Sequence, residues 1–578
     1  VEIGIDLGTS YVKIGTLDQD GAFINLLGPG GMMPAVAAYS PRDGRLCFGE
    51  EAERLDAPGV TLWRFFKLAI KRSPHLALGP WPLGEVVAGF LRHVRRCALP
   101  PDAAVSQVAT CIPNSFGLQA RRLVLEAVRD TFPGAAVQLL PEPLAAMVGL
   151  LQARRGRQQP PLTGSWMVVD VGGGTADASI VDLGGAGGSS MVLEAQLQTG
   201  SDAFSGAEVD KALLRRVLVP LFEAHSGVRV PVELMREQQP NRQEACCWAR
   251  MLWWAEQVKL RLLAEGHAWV DIPDFYGGRP LRAELDRAEL ALAAGQPLQQ
   301  LQHFLESRVK PRAAQLGLVE AGRWALDGIV LLGGASRFPG VRDVLAATGC
   351  RVEMPEDPEF YVVQGLCWMT RPESSAVRLR SLLPLRFLLE RWGREGQAVT
   401  VLEPIPFDFA NLELEHDRSY RLCTVPFESP YNLATVPGRF RLRVWQALED
   451  EQAREVVLSD AESLVLDRTL EVTGMAAGAV DLCLDLGESQ LVLEASLPAT
   501  SSRGGAGREL WPRVLEHQSR AAGLLRELKG PARPPQQGLE RDLAELREEG
   551  EQFANYDRYL TGKLLAVFDL LSRRQREG

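Results

Sequence analysis

Residues 168–182 read VVDVGGGTADASIVD. Val168 and Val169 supply a β-run, and Asp170 ends its apolar stretch. Gly172, Gly173 and Gly174 carry no Cβ, so their backbone amides can approach a ligand closely and adopt unusual dihedrals. Successive amides in such a turn form an anion-binding nest, and Thr175 adds a hydroxyl. Asp170 and Asp177 would repel a bare phosphate. A divalent cation reconciles the two, and magnesium, which takes oxygen ligands and keeps several waters, is the natural choice.

Two further segments share this grammar. IDLGTSYVKIG at 5–15 runs from strand to Asp6, Gly8, Thr9 and Ser10 and back to strand. LLGGASRFPG at 331–340 ends a strand in Gly333 and Gly334, with Ser336 and Arg337 beside them and Pro339 limiting the turn. Three strand-to-glycine loops, two of them with carboxylates, predict a phosphate-and-metal cleft between two lobes. Neither GxGxxG nor GxxxxGK[ST] stands at a suitable position, which argues against a dinucleotide-binding fingerprint or a P-loop.

The rest of the chain is consistent with this. Strand and helix patterns alternate from 1 to about 374, as in a two-lobed α/β domain with its chemistry on loops at strand ends. Helices are expected over 84–99, 118–132, 243–266 and 281–295, and strands over 107–115, 136–143 and 327–334, with 136–143 running into a loop. Residues 375–384 read as a linker. Residues 385–500 read as a β-rich module; FRLRVW at 440–445 alternates Phe440, Leu442 and Val444 with Arg441, Arg443 and Trp445. SSRGGAG at 501–507 is a flexible break, and 501–578 is otherwise a helical C-terminal segment.

The 578 residues have 46% hydrophobic and 24% charged content, an ordinary globular balance. The net charge of −10 disfavours a dominant nucleic-acid surface. The nine cysteines include no CxxC pair, and the seven histidines no HExxH. Reduced thiols and no structural zinc are expected. No apolar run approaches the ~20 residues of a membrane span, and no basic leader precedes the first strand, so a cytoplasmic protein is expected.

Taken in order, these motifs resemble the Hsp70 chaperone family, within the wider actin–hexokinase–Hsp70 superfamily. IDLGTSY is similar to its first phosphate motif and DVGGGTADASIVD to its second. IPNSFGLQARR at 112–122 resembles its strand–loop–helix segment, and LLPEPLAAMVGL at 139–150 its connecting motif. TGSDAFSGAEVD at 199–210 is a weaker echo. AEQVKLRL at 255–262 and LGGASRFPGV at 332–341 resemble the adenosine-contacting segments. The resemblance covers about residues 1–374 and implies ATP/ADP and Mg2+ as cofactors. It sets Asp6 and Asp170 beside magnesium, mostly through its waters. Phosphates would meet Gly8, Thr9, Ser10, Gly172, Gly173, Gly174 and Thr175. Glu142 and Asp177 would position magnesium waters or the attacking water. Glu256, Lys259, Gly333, Gly334, Ser336 and Arg337 would surround the nucleoside. It also implies an unfolded polypeptide or a dedicated protein as client, and a co-chaperone.

The sequence departs from that family in several places. In VTLWRFFKLAIKRSP at 60–74, an ungapped match sets Phe66 where the family has a hydrolytic lysine, with Lys67 one residue on; a local shift restores Lys67 to that role. Ala207 stands where a glutamate is usual, and Leu260 where a basic residue is usual. Leu260 weakens recognition of adenine and ribose. The segment SSAVRLRSLLPL is basic, unlike the family's acidic-apolar linker. Two functions follow: a weak, Mg-dependent ATPase of chaperone type, or a nucleotide-gated interaction or scaffold protein with little or no turnover. A small-molecule kinase and a filament-forming relative share the superfamily fold but do not account for the β-rich module.

Overall fold

The computed structural model describes residues 1–28, 30–54, 60–64, 66–72, 77–184, 191–235, 242–371, 377–380, 385–391, 401–405, 418–426, 431, 433–434, 439–448, 464–472, 478–487 and 490–496. Two six-stranded sheets organise the chain up to Arg380. In the first, the order is Ala136–Pro141, Gln107–Ile112, Glu2–Leu7, Tyr11–Leu17, Phe23–Asn25, and Met33–Pro34 also pairs with Tyr11–Leu17. In the second, the order is Val352–Glu353, Gly328–Leu332, Gly164–Val171, Ala176–Gly184, Met191–Ser201, Val377–Arg380. The central strands are apolar on both faces, because helices cover each side. Glu2–Leu7 is buried at every position after its first.

Each sheet carries its own core. Helices Leu83–Ala98 and Leu118–Thr131 pack on the first, around Ile5, Ile14, Phe90 and Val124. Helices Gly206–Leu213, Arg242–Glu265 and Arg287–Phe304 pack on the second, around Val169, Leu213, Met251 and Phe304. Trp248 is buried in that core, whereas Trp253 and Trp254 are half-buried. A third cluster joins the lobes. It holds Ala109 and Cys111 from the first sheet, Val168 and Val330 from the second, and the helices Glu142–Gly156 and Tyr361–Met369 between them. These helices cross backbone to backbone. A Cβ at Gly365 would overlap the carbonyl oxygen of Ala145, and one at Gly149 that of Tyr361. Only glycine permits so close an approach.

Two expectations need correction. Residues 281–295 are not one helix: Arg279–Asp286 is a strand paired antiparallel with His267–Tyr276, and the helix begins at Arg287. Leu281, Ala283 and Leu285 are buried while Arg282, Glu284 and Asp286 are exposed, a period of two. Leu281 and Leu285 are also four apart, so the same residues read as a helical stripe. Asp286 then caps the helix, accepting from the Ala288 amide at 2.6 Å while Glu289 reciprocates at 2.8 Å. The second correction concerns 136–143: no loop follows the strand, because Glu142 itself opens a helix with Pro143 in its first turn. Val377–Arg380, within the expected linker, is a strand parallel to Met191–Ser201.

Beyond it, two antiparallel sheets share one apolar face. One runs Val401–Pro404, Leu385–Arg391, Arg439–Leu448, Leu464–Glu471; the other runs Arg418–Pro426, Ala479–Gly487, Gln490–Ser496. Phe387, Phe440, Leu442 and Val444 meet Leu422, Val425, Val480 and Leu482 between them. Leu118 of the first lobe joins this cluster. Its amide donates to Gln446 Oε1 at 3.0 Å, and Gln119 Nε2 donates to the Leu464 carbonyl at 2.9 Å. The expected helical segment 501–578 lies outside the described residues. Among the described residues, no helix is long and apolar enough to cross a membrane.

Candidate functional site

The three glycine loops meet at one cavity of about 240 Å³ between the two sheets. Its lining includes Asp6, Gly8, Thr9, Ser10, Lys67, Glu142, Asp170, Gly172, Gly173, Thr175, Glu256, Lys259, Gly333, Gly334 and Arg337. Gly174, Asp177 and Ser336 lie outside that lining. Hairpin register brings the acidic groups to one end. Glu2–Leu7 and Tyr11–Leu17 set Asp6 opposite Lys13, and Gly164–Val171 and Ala176–Gly184 set Asp170 opposite Asp177. Close packing explains two of the glycines. A Cβ on Gly173 would overlap Ser10 Oγ, and one on Gly174 would crowd Thr9. Gly333 has φ of 84°, and a Cβ there would overlap Asp170.

Lys67 and Phe66 divide one short helix, Phe66–Arg72. Phe66 is fully buried and packs edge-on against Phe90, with centroids 5.1 Å apart. Lys67, the next residue, points the other way and pairs with Glu142. Lys71 lies 3.7 Å from Asp202. A turn of ~100° per residue therefore separates a core side chain from a cleft side chain.

Four carboxylates, Asp6, Glu142, Asp170 and Asp177, share this end with Lys13 and Lys67, all buried. Lys13 Nζ lies 2.7 Å from Asp6, and the Cys111 thiol donates to Asp6 Oδ1 at 3.5 Å. Burial pulls the lysines down, but Asp6 at Lys13 and Glu142 at Lys67 more than reverse it, so both ammonium groups are held above their usual range. Burial raises Asp170 well above the carboxylate range, reinforced by Glu142, Asp177 and Asp6. Burial, with Glu142, pushes Asp177 up to about 7. Asp177 Oδ1 accepts from the Asn114 amide at 2.8 Å, while buried Oδ2 has no hydrogen-bond partner among the described residues. If all four carboxylates ionise, two ammonium groups leave two formal negative charges in a buried site, a repulsion that with burial holds Asp170 and Asp177 above the carboxylate range. One divalent cation cancels that excess. The carboxylate donors are hard oxygens, which fit magnesium; the Cys111 thiol lies within 4.8 Å of the Asp6 and Glu142 donors.

The other end is built differently. Glu256 pairs with Arg64, which also holds Glu53 at 2.9 Å. Lys259 lies 2.8 Å from Asp210 and donates to the Gly206 carbonyl at 3.3 Å. Burial lifts Asp210 to about 6 against the opposing pull of Lys259. Ser336 turns inward and donates to the Gly333 carbonyl at 2.6 Å. Arg337 is tied to Glu359 and Asp357 at 3.0 Å each. Lys13, Arg64, Asn114 and Cys111 did not emerge from the sequence as site residues. Only Lys13 carried a signal: a hairpin turning at Gly8–Ser10 puts it across from Asp6.

This mixed α/β architecture fits an Hsp70 ATPase domain. The family model described as Hsp70 protein matches residues 85–353. The chain is 26% identical over 385 residues to the chaperone protein DnaK of Cenarchaeum symbiosum, covering 63% of this chain and 53% of that protein. It is 25% identical over 442 residues to the chaperone protein DnaK of Thermus thermophilus, covering 70% of this chain and 66% of that protein. The chain thus spans between about half and two thirds of the length of these relatives. Over the matched residues the chain is similar to Hsp70 proteins, at low identity.

Proposed function

We propose that the chain binds Mg-ATP and Mg-ADP in the cleft between its lobes and hydrolyses ATP slowly. Nucleotide state would then govern how the β-rich module holds an unfolded polypeptide or a dedicated partner, the work of an Hsp70-like chaperone. One observation carries this reading: the three glycine loops, Lys13 and Lys67, and the buried carboxylates Asp6, Glu142 and Asp170 line a single interlobe cavity. The chaperone names of the DnaK relatives support the client-binding part. A co-chaperone and a cytoplasmic setting belong to the same proposal.

Asp6 and Asp170 would hold magnesium, whose charge offsets the negative charge on the transferring phosphoryl group. The Gly172–Gly174 loop, whose Gly172 amide is held by the Thr175 carbonyl at 2.8 Å and whose Gly173 faces the cavity, would cradle the phosphates with the hydroxyls of Thr9, Ser10 and Thr175. Lys67 presents a permanent positive charge where negative charge develops, and Glu142 fixes its position. Asp177, behind the lining, would help orient the attacking water, while Asn114 anchors its Oδ1.

Calorimetry of ATP and ADP binding, with and without magnesium, tests the assignment. A magnesium-dependent signal lost in Asp170→Ala supports it; no signal from the folded protein at millimolar nucleotide refutes it. Intact binding with turnover at background would instead favour a nucleotide-gated scaffold. Dependence of client affinity on ATP separates chaperone from scaffold.

A further inference from the structure

The nucleoside side of the cavity is lined by groups of two kinds. The polar side chains are already engaged within the protein: Glu256 by Arg64, Lys259 by Asp210 and the Gly206 carbonyl, and Arg337 by Glu359 and Asp357. Behind the lining, the Ser336 hydroxyl is spent on Gly333. Tyr11, beside Glu256 and Arg64, adds one phenol hydroxyl to this side; the rest of what faces the cavity is apolar: Leu260 and Leu263 from the helix Arg242–Glu265, and Ala335 and Phe338 from the segment after Gly334. Leu260 is 43% exposed although it lines a cavity, and apolar surface held open to solvent at a concave site invites an apolar or aromatic face. Arg337 is pinned through its edge, which leaves the flat face of the guanidinium for stacking.

Resting on the Mg-ATP reading above, we propose that this wall holds a purine by its faces and not by its edge. The site would accept purine nucleoside triphosphates as a class, with little discrimination between adenine and guanine. Adenine, hypoxanthine and guanine share their ring faces and differ only in edge donors and acceptors. A site that hydrogen-bonds such groups rejects the wrong analogue by about 10⁴–10⁵, because its own polar groups are left unpaired, whereas an apolar pocket discriminates by about 10–200-fold. Here the wall's side chains keep their protein partners whichever base enters, so the smaller range applies.

The test is calorimetric titration of the full chain, in magnesium, with ATP, GTP, ITP and inorganic triphosphate. The three purine nucleotides are expected to fall within about 30-fold of one another, and triphosphate to bind at least about tenfold more weakly. Leu260→Ala and Leu263→Ala should each weaken ATP and GTP by the same factor, with unchanged thermal unfolding confirming the fold. A preference for ATP over GTP beyond that range overturns the proposal, as does triphosphate binding as tightly as ATP, or a leucine variant that loses ATP alone. Failure of every probe, triphosphate included, refutes the Mg-ATP reading itself, and this inference with it.

Discussion

Arg64 is the residue whose replacement tests the cleft most directly. It lies at the end of strand Thr61–Arg64, on the first lobe, and pairs with Glu256 on the long helix of the second. Both side chains are 4% exposed, so neither charge has water to fall back on. Removing one member of such a pair costs about 3–5 kcal/mol, because the remaining charge is buried and uncompensated. Glu53, the other carboxylate on Arg64, is on the same lobe and 17% exposed, so it recovers solvation more readily. Glu256 recovers it only if helix and strand part. The cost of Arg64→Met therefore falls on the closed arrangement.

Even the low end, about 3 kcal/mol, raises the open-to-closed ratio by about a hundredfold at 1.4 kcal/mol per decade. Amide hydrogen exchange of the nucleotide-free protein reads this directly. Protection along Thr61–Arg64 and around Glu256 should fall by about a hundredfold in Arg64→Met. The double variant Arg64→Met, Glu256→Met should recover most of it, since replacing both charges by apolar groups is often neutral or stabilising. Equal protection in wild type and Arg64→Met, or a double variant as weak as the single one, would show that the pair does not hold the lobes together.

Three further outcomes follow from other features. Lys67→Met should leave ATP binding largely in place and slow single-turnover hydrolysis by at least about a hundredfold, as loss of one oriented charge does elsewhere; equal turnover would remove Lys67 from the chemistry. Gly365→Ala pushes a methyl group into the Ala145 carbonyl at the crossing of the two interlobe helices. A loss of about 1–3 kcal/mol or more is expected, read as a lower thermal midpoint. Asp210 has a folded-state pKa of about 6, raised above the unfolded value, so its contribution to stability is largest below pH ~4 and is lost as pH rises towards 6. Asp210→Asn should flatten that part of the stability profile, and a carboxyl carbon titrating near 4 by NMR would contradict the assignment.

Much of the first 380 residues was legible because the decisive signals are local. Gly172–Gly174 and Gly333–Gly334 are punctuation that no ordinary strand tolerates, and each stands at a strand end. The strand Arg279–Asp286 reads as a helix for a local reason too: residues spaced at two and at four include the same leucines, and only pairing with His267–Tyr276 decides between them. The partners of the site are another matter. Arg64 and Glu256 are 192 residues apart, and Asn114 and Asp177 are 63 apart. Nothing in the neighbourhood of either member names the other, since the fold alone brings them together.

Lys67 joins these two kinds of information. By sequence alignment the lysine is one residue out of place, and on a helix that error is about 100°. The structure gives the discrepancy a physical cause. Phe66 is claimed by the core against Phe90, and a helix that buries Phe66 must turn the next side chain away from that core. That direction leads to Glu142, whose own position is set by the helix start at Glu142–Pro143 directly after the strand Ala136–Pro141. The phenylalanine at the expected lysine position is thus what aims its neighbour into the site. Exchanging the two, as Phe66→Lys with Lys67→Phe, would bury an ammonium group among Ile70 and Phe90 and set an aromatic ring on Glu142. The exchanged protein should lose stability by several kcal/mol along with nucleotide turnover. If it instead folded and turned over ATP normally, the helix would be free to rotate, and core packing would not be what positions Lys67.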